Sequence, residues 1–136
     1  MSAMQRSKGK AGEREAAALV RDLTGWDVQR RVRQHDADSD LVGVPGWSVE
    51  VKRRRSATHA DLATWWAQAV AQAGTERPVL LYRVDRGAWR AVWPLAVLLT
   101  PRETEGWPGY AWTANTALEA WAAVAREHHG VQGEQA

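Results

Sequence analysis

The stretch Asp40-Leu41-Val42-Gly43-Val44-Pro45-Gly46-Trp47-Ser48-Val49-Glu50-Val51-Lys52 decides how the chain is read. Two short apolar runs flank Val-Pro-Gly, in which proline fixes φ and glycine permits the backbone of a tight reversal. Asp40 to Val44 and Trp47 to Lys52 are predicted as neighbouring strands of an antiparallel pair, which places Asp40 near Glu50. Side chains alternate across a strand, so Glu50 and Lys52 share one face while Val49 and Val51 point the other way, towards a core. Three charged groups converging on two strands read as a divalent-metal site beside a lysine.

Upstream, the first residues are polar, with Arg6, Lys8 and Lys10 among small side chains, and residues 1–11 are expected to form a flexible basic N-terminus. From Gly12, Ala16, Leu19, Val20 and Leu23 recur at helical spacing, and Thr24-Gly25 supplies a stop. Glu13 and Glu15 then fall in the first turn, where carboxylates complement the helix dipole. Glu13 has a second reading, leaning over the sheet on which the helix packs. Trp26 to Arg33 alternates with a period of two and reads as a half-buried strand, followed by the polar loop 34–39.

Downstream, Lys52 runs directly into Arg53, Arg54 and Arg55. A helix is predicted from Thr58 to Ala73, with Thr58 or Ser56 as N-cap and Leu62, Trp65, Trp66, Ala69, Val70 and Ala73 on its apolar face. Val79 to Val84 is a continuous β-prone run suited to a strand covered on both sides. Ala88 to Trp93 pairs back after the turn at Asp85-Arg86-Gly87, and Leu95 to Leu99 reads as a helical turn. Residues 100–108 read as a surface loop, Tyr110 to Trp112 as a short edge strand, and Thr113 to His128 as a closing helix. The order is α-β-β-β-α-β-β with C-terminal additions. Residues 12–129 form one expected domain, and 130–136 a disordered tail.

The chain has 136 residues, 45% of them hydrophobic and 25% charged, which fits a single domain with a real core. The absence of cysteine excludes disulfides, thiolate zinc sites and cysteine nucleophiles, and is compatible with a cytoplasmic location. No apolar run approaches a membrane span, and the polar start lacks a signal-peptide apolar region, so no membrane partner is expected. Net charge is only +2, yet residues 1–60 carry twelve Lys/Arg against eight Asp/Glu. The predicted site lies in that basic half, which favours a polyanionic partner. Nine tryptophans and no phenylalanine are read as Trp filling core positions that Phe commonly takes, with base stacking the lesser reading.

Asp40 and Glu50 offer the oxygen ligands preferred by a hard cation such as Mg2+, with Mn2+ as a substitute. The Val51 carbonyl and Glu13 are further candidate ligands. Lys52 is placed to hold an attacking water or to neutralise charge on a phosphate oxygen. The reaction implied is phosphodiester hydrolysis. Lys8, Lys10, Arg14, Arg30, Arg31, Arg33, Arg53, Arg54 and Arg55 are the candidate nucleic-acid contacts, since guanidinium groups fork onto phosphate. Asp36-Ala37-Asp38-Ser39-Asp40 imitates the opening of a calcium loop, but Leu41 and Trp47 stand where that loop needs Gly and Glu. Asp36, Asp38 and His35 are read as loop residues, His59 as part of a helix start and His128-His129 as a helix end.

Lys8-Gly9-x-x-x-Glu13-Arg14 opening a helix, then Ser39-Asp40-Leu41-Val42, then Val49-Glu50-Val51-Lys52, resembles the PD-(D/E)XK nuclease superfamily, and within it archaeal and phage Holliday-junction resolvases. The resemblance covers residues 8–84. It implies an α/β fold of restriction-endonuclease type, with a mixed sheet flanked by helices and an extra C-terminal helix. The family's helix glutamate maps to Glu13, its metal carboxylates to Asp40 and Glu50, and its lysine to Lys52. A glutamine on the following helix makes Gln68 a catalytic candidate, with Gln72 behind it. The resemblance further implies an Mg2+-dependent DNA endonuclease acting on branched DNA as a homodimer. A linear-DNA repair or restriction nuclease, and a non-catalytic nucleic-acid-binding domain on the same fold, are the alternatives.

Overall fold

The computed structural model describes residues 3–32, 39–99 and 109–135, with side chains from Gly9 to His128 within those ranges. The elements are α1 (Ala3–Thr24), β1 (Gln29–Arg30), β2 (Leu41–Val42), β3 (Trp47–Arg54), α2 (His59–Ala73), β4 (Arg77–Val84), β5 (Arg90–Pro94), a 3-10 turn (Leu95–Val97), a second 3-10 turn (Tyr110–Trp112), β6 (Thr113–Ala117) and α3 (Leu118–Gln135). The six strands make one sheet in sequence order. β3 and β4 run parallel, because α2 carries the chain back across the sheet between them, and every other neighbouring pair is antiparallel. The architecture is the mixed α/β sheet flanked by helices that the element order implies.

Strand alternation divides the apolar side chains into two layers. Val49, Val51, Val79, Leu81, Ala91 and Trp93 face α1 and α3, meeting Ala16, Ala17, Val20, Leu118, Trp121 and Ala122. Leu80, Tyr82 and Val92 face the other way, onto Trp66 and Ala69 of α2. β4 is thus covered on both sides, as its unbroken apolar run demands. Trp47, Trp66, Trp89, Trp93 and Trp121 are all buried, so tryptophan does fill the core positions.

Several local expectations need correction. α1 begins at Ala3, so Glu13 and Glu15 lie in its interior and no acidic residue occupies its first turn. The strong helix formers Ala3, Met4, Gln5, Arg6 and Lys8 extend the helix although they carry no apolar stripe. Among the described residues of the stretch from Trp26 to Arg33, only Gln29 and Arg30 join the ladder, and Val32 is 82% exposed instead of inward-facing. Tyr110 to Trp112 is a 3-10 turn, and the edge strand is Thr113 to Ala117, where the closing helix was expected to begin. That strand exists because β5 needs a partner, and its threonines suit a pleat. The loop at 100–108 lies outside the described residues.

Two features place the site strands. Pro45 and Gly46 (φ 81°) make the reversal between β2 and β3, closed by Trp47 N–H donating to Val44 O at 3.1 Å. Gly43 (φ 96°) lets β2 pass against the chain before β1; a Cβ there would lie 2.2 Å from Asp27 O. α2 starts in a complete capping box, with Asp61 N–H donating to Thr58 Oγ1 and Thr58 N–H donating to Asp61 Oδ2.

Candidate active site

β3 carries Glu50 and Lys52 on the face shared with Leu80 and Tyr82, the face that α2 covers. Val49 and Val51 anchor the strand from the opposite layer. Leu41 pairs with Val49, and Asp40 N–H donates to Val49 O at 2.8 Å, so Asp40 arrives beside the middle of β3. Its carboxylate is then pinned: Val51 N–H donates to Asp40 Oδ2 at 2.7 Å. The N–H and C=O of a strand residue lie on the same edge, so the Val51 carbonyl opens towards Asp40 as well. Lys52 Nζ stands 3.5 Å from Glu50 Oε1. Ser39, buried ahead of Asp40, accepts from Arg31 through both its carbonyl and its hydroxyl, which stiffens the approach to the site.

The electrostatics of this arrangement are those of a site short of positive charge. Burial raises the pKa of Glu50 to about 8, and the neighbouring Asp40 charge pushes the same way against Lys52. Asp40 is also raised by burial, opposed by the Val51 N–H, by Glu50, and by the Lys52 and Arg30 charges. Asp40 has the firmer support, from the Val51 N–H, and burial of two carboxylates side by side favours one proton retained by the pair. Glu50 Oε2 is buried without a hydrogen-bond partner. Two hard carboxylates, one with an unmatched buried oxygen, plus a strand carbonyl fit a small divalent cation, which would replace the retained proton. Among the described residues no group of three His, Cys, Asp or Glu side chains converges to hold one, so the protein donor set is lean.

Glu13 stands on α1 with its Oε1 accepting from Arg30 Nε at 2.7 Å, both side chains largely shielded from solvent. The structure thus joins Glu13 to the site through Arg30, whose charge also acts on Asp40. Gln68 is exposed on α2, and Gln72, one turn on, is half-buried. The cationic candidates divide into two groups. Arg30 is held by Glu13, Arg31 by Ser39, and Arg53 by Asp85 at 2.6 Å, whereas Lys10, Arg14, Arg54 and Arg55 are exposed. The side chain of Lys8 and the whole of Arg33, like His35, Asp36 and Asp38, lie outside the described residues. His59 begins α2 as expected.

Sequence reasoning missed two groupings. Glu15 accepts from Trp89 Nε1 at 2.6 Å and from Arg83, tying α1 to β4 and to the chain entering β5. Burial raises the Glu15 pKa, but these hydrogen bonds outweigh it and hold the carboxyl below its usual value. Arg54 lies over the Trp65 ring, 5.7 Å from its centroid, beside Lys52 on β3. Nothing local signals either grouping: Glu15 meets residues about seventy positions on, and Arg54 meets Trp65 only because α2 packs back over the face of β3.

Residues 4–116 match the protein family described as "Phage putative PDDEXK endonuclease". No curated protein matches the chain. A solved structure described as Hjc, a Holliday junction resolvase from the archaeal hyperthermophile Archaeoglobus fulgidus, is similar at a TM-score of 0.46 and 21% identity, over 66% of this chain and 75% of its own. The family match spans most of the chain and contains nearly all of α1, both carboxylates, Asp40 and Glu50, and Lys52. The chain belongs to the phage PDDEXK endonuclease family of the PD-(D/E)XK superfamily.

Proposed function

We propose that the protein is a divalent-metal-dependent DNA endonuclease, with Asp40, Glu50 and Lys52 as its reacting centre. The observation that carries this reading is the Asp40–Glu50 pair beside Lys52, with a buried Glu50 oxygen that has no protein partner. Mg2+ bound by Asp40, Glu50 and the Val51 carbonyl would supply Lewis acidity towards the scissile phosphate. The chain's own groups do the rest. Val51 N–H fixes Asp40, and Lys52 presents an ammonium where charge builds on a phosphate oxygen as water adds and the bond to the leaving sugar oxygen breaks. Glu13 holds Arg30 next to Asp40, where a guanidinium can take an adjacent phosphate. Gln68 is a candidate to orient the water. The preference for branched DNA and the homodimer rest on the motif resemblance to resolvases.

The test is cleavage of four-way junction, flap and linear duplex DNA in Mg2+, in Mn2+ and in EDTA. Metal-dependent cleavage is expected, with Glu50→Ala and Lys52→Ala each reducing the rate by at least about a hundredfold. Cleavage that survives both substitutions would displace the site. Binding without cleavage of any substrate would make the protein a non-catalytic DNA-binding domain, and equal cutting of linear duplex would remove the branch preference.

A further inference from the structure

Lys52 and Arg54 alternate onto the same face of β3, about 6.6 Å apart along the strand. Lys52 pairs in register with Tyr82, and Tyr82 meets Trp65 of α2 with ring centroids 6.4 Å apart. Arg54 lies over the ring of that same tryptophan. The neighbouring Trp66 is 1% exposed and performs the packing of α2 on Leu80 and Val92, whereas Trp65 is only partly covered and sits at the rim. Its support is firm, since α2 is capped at Thr58 and Asp61 and its first residue, His59, packs edge-on against Tyr110 at 5.2 Å.

We infer that the Arg54 guanidinium, lying over the Trp65 ring and donating to Arg53 O at 3.2 Å, forms with that ring a seat for one unpaired nucleobase adjoining the phosphate at Lys52. The inference rests on the nuclease reading for the position of that phosphate. Guanidinium and indole planes accept a base by stacking, which every base can supply through its π-face. Within a continuous duplex each base is already stacked between its neighbours, so only a splayed or single-stranded nucleotide can enter. Exposed Arg55, next along the chain, adds cationic charge for the following phosphate. The seat supplies a physical source of preference for flaps and branch points over intact duplex, carried by this chain's own side chains.

The test uses the full chain in EDTA, so that no cleavage intervenes, with 2-aminopurine at the first unpaired position of a flap duplex and at an internal position of a continuous duplex. Stacking in the seat should quench the flap probe. Trp65→Leu keeps apolar bulk and removes the flat ring; Arg54→Lys keeps the charge and removes the flat guanidinium. Each should abolish the quenching and lower the ratio of flap to duplex affinity by about tenfold. Absence of quenching by the unsubstituted protein, or retention of both signals in the two variants, overturns the seat. Should Trp65→Leu fail to fold, the surface variant Arg54→Lys decides alone. Cleavage in Mg2+ without quenching sinks the seat and spares the nuclease reading; quenching without cleavage of any DNA does the reverse.

Discussion

Burial beside Asp40 pushes the Glu50 carboxyl up to about 8, so near neutral pH the pair favours keeping a proton that an ordinary glutamate would lose, and this makes stability depend on pH. The folded pKa of about 8 lies above the ordinary value of 4.5, so the native state binds more protons than the unfolded one between those limits. Stability must then fall as pH rises through that window. In EDTA, thermal melting is expected to drop from about pH 5 to about pH 8, and Glu50→Gln should flatten the slope. Added Mg2+ should raise the melting temperature at about pH 8 and have little effect at about pH 5, because the cation takes the place of a proton. A metal-free melting curve indifferent to pH would contradict the buried carboxylate pair. Glu13 offers a second test at this scale. If it acts through Arg30, Glu13→Ala and Arg30→Ala should lower cleavage similarly, and the double variant should be no worse than either. A higher Mg2+ concentration for half-maximal cleavage, confined to Glu13→Ala, would instead make Glu13 a direct ligand.

The contact of α1 with β3 depends on one absent side chain. A Cβ at Gly12 would come within 2.8 Å of Arg53 Cβ, an atom close to the backbone that cannot swing aside. Gly12→Ala gains about 1 kcal/mol of helix propensity, but overpacking costs about 1–3 kcal/mol and moves the arginine that pairs with Asp85. Net destabilisation is expected by urea denaturation, with a lowered midpoint at unchanged slope. The N-cap of α2 gives a milder result: Thr58→Ala should cost about 1 kcal/mol by the same measurement. Legibility at this scale followed local signals. α2 was readable within a residue because its cap, apolar face and terminal Gly74 agree. β6 was not, since Thr113 to Ala117 is a strand only by virtue of β5, with Trp93 Nε1 donating to Thr116 Oγ1 at 3.0 Å and Arg90 bonding Asn115.

The sheet lies between two apolar layers, one anchored by Trp121 and the other by Trp66. β4 contributes Val79 and Leu81 to one layer and Leu80 and Tyr82 to the other, so neither layer can loosen alone. Trp121→Ala and Trp66→Ala are each expected to lower stability by about 3–5 kcal/mol while unfolding remains a single transition by near- and far-UV circular dichroism. Separate transitions would show that the layers are independent. By itself the sequence determined what depends on near neighbours: the Val-Pro-Gly reversal, the alternation that sets Glu50 and Lys52 against Val49 and Val51, and the helix after them. These follow from backbone geometry and from periods of two and 3.6 residues, which a few adjacent side chains express completely. Only the tertiary structure decided that Glu13 is held by Arg30, that Arg31 and Arg53 are tied to Ser39 and Asp85, and that Arg54 lies on Trp65. Such pairings join different elements, not neighbours along one strand or helix, and their geometry exists only once the strands have paired and the helices have packed against the two faces of the sheet.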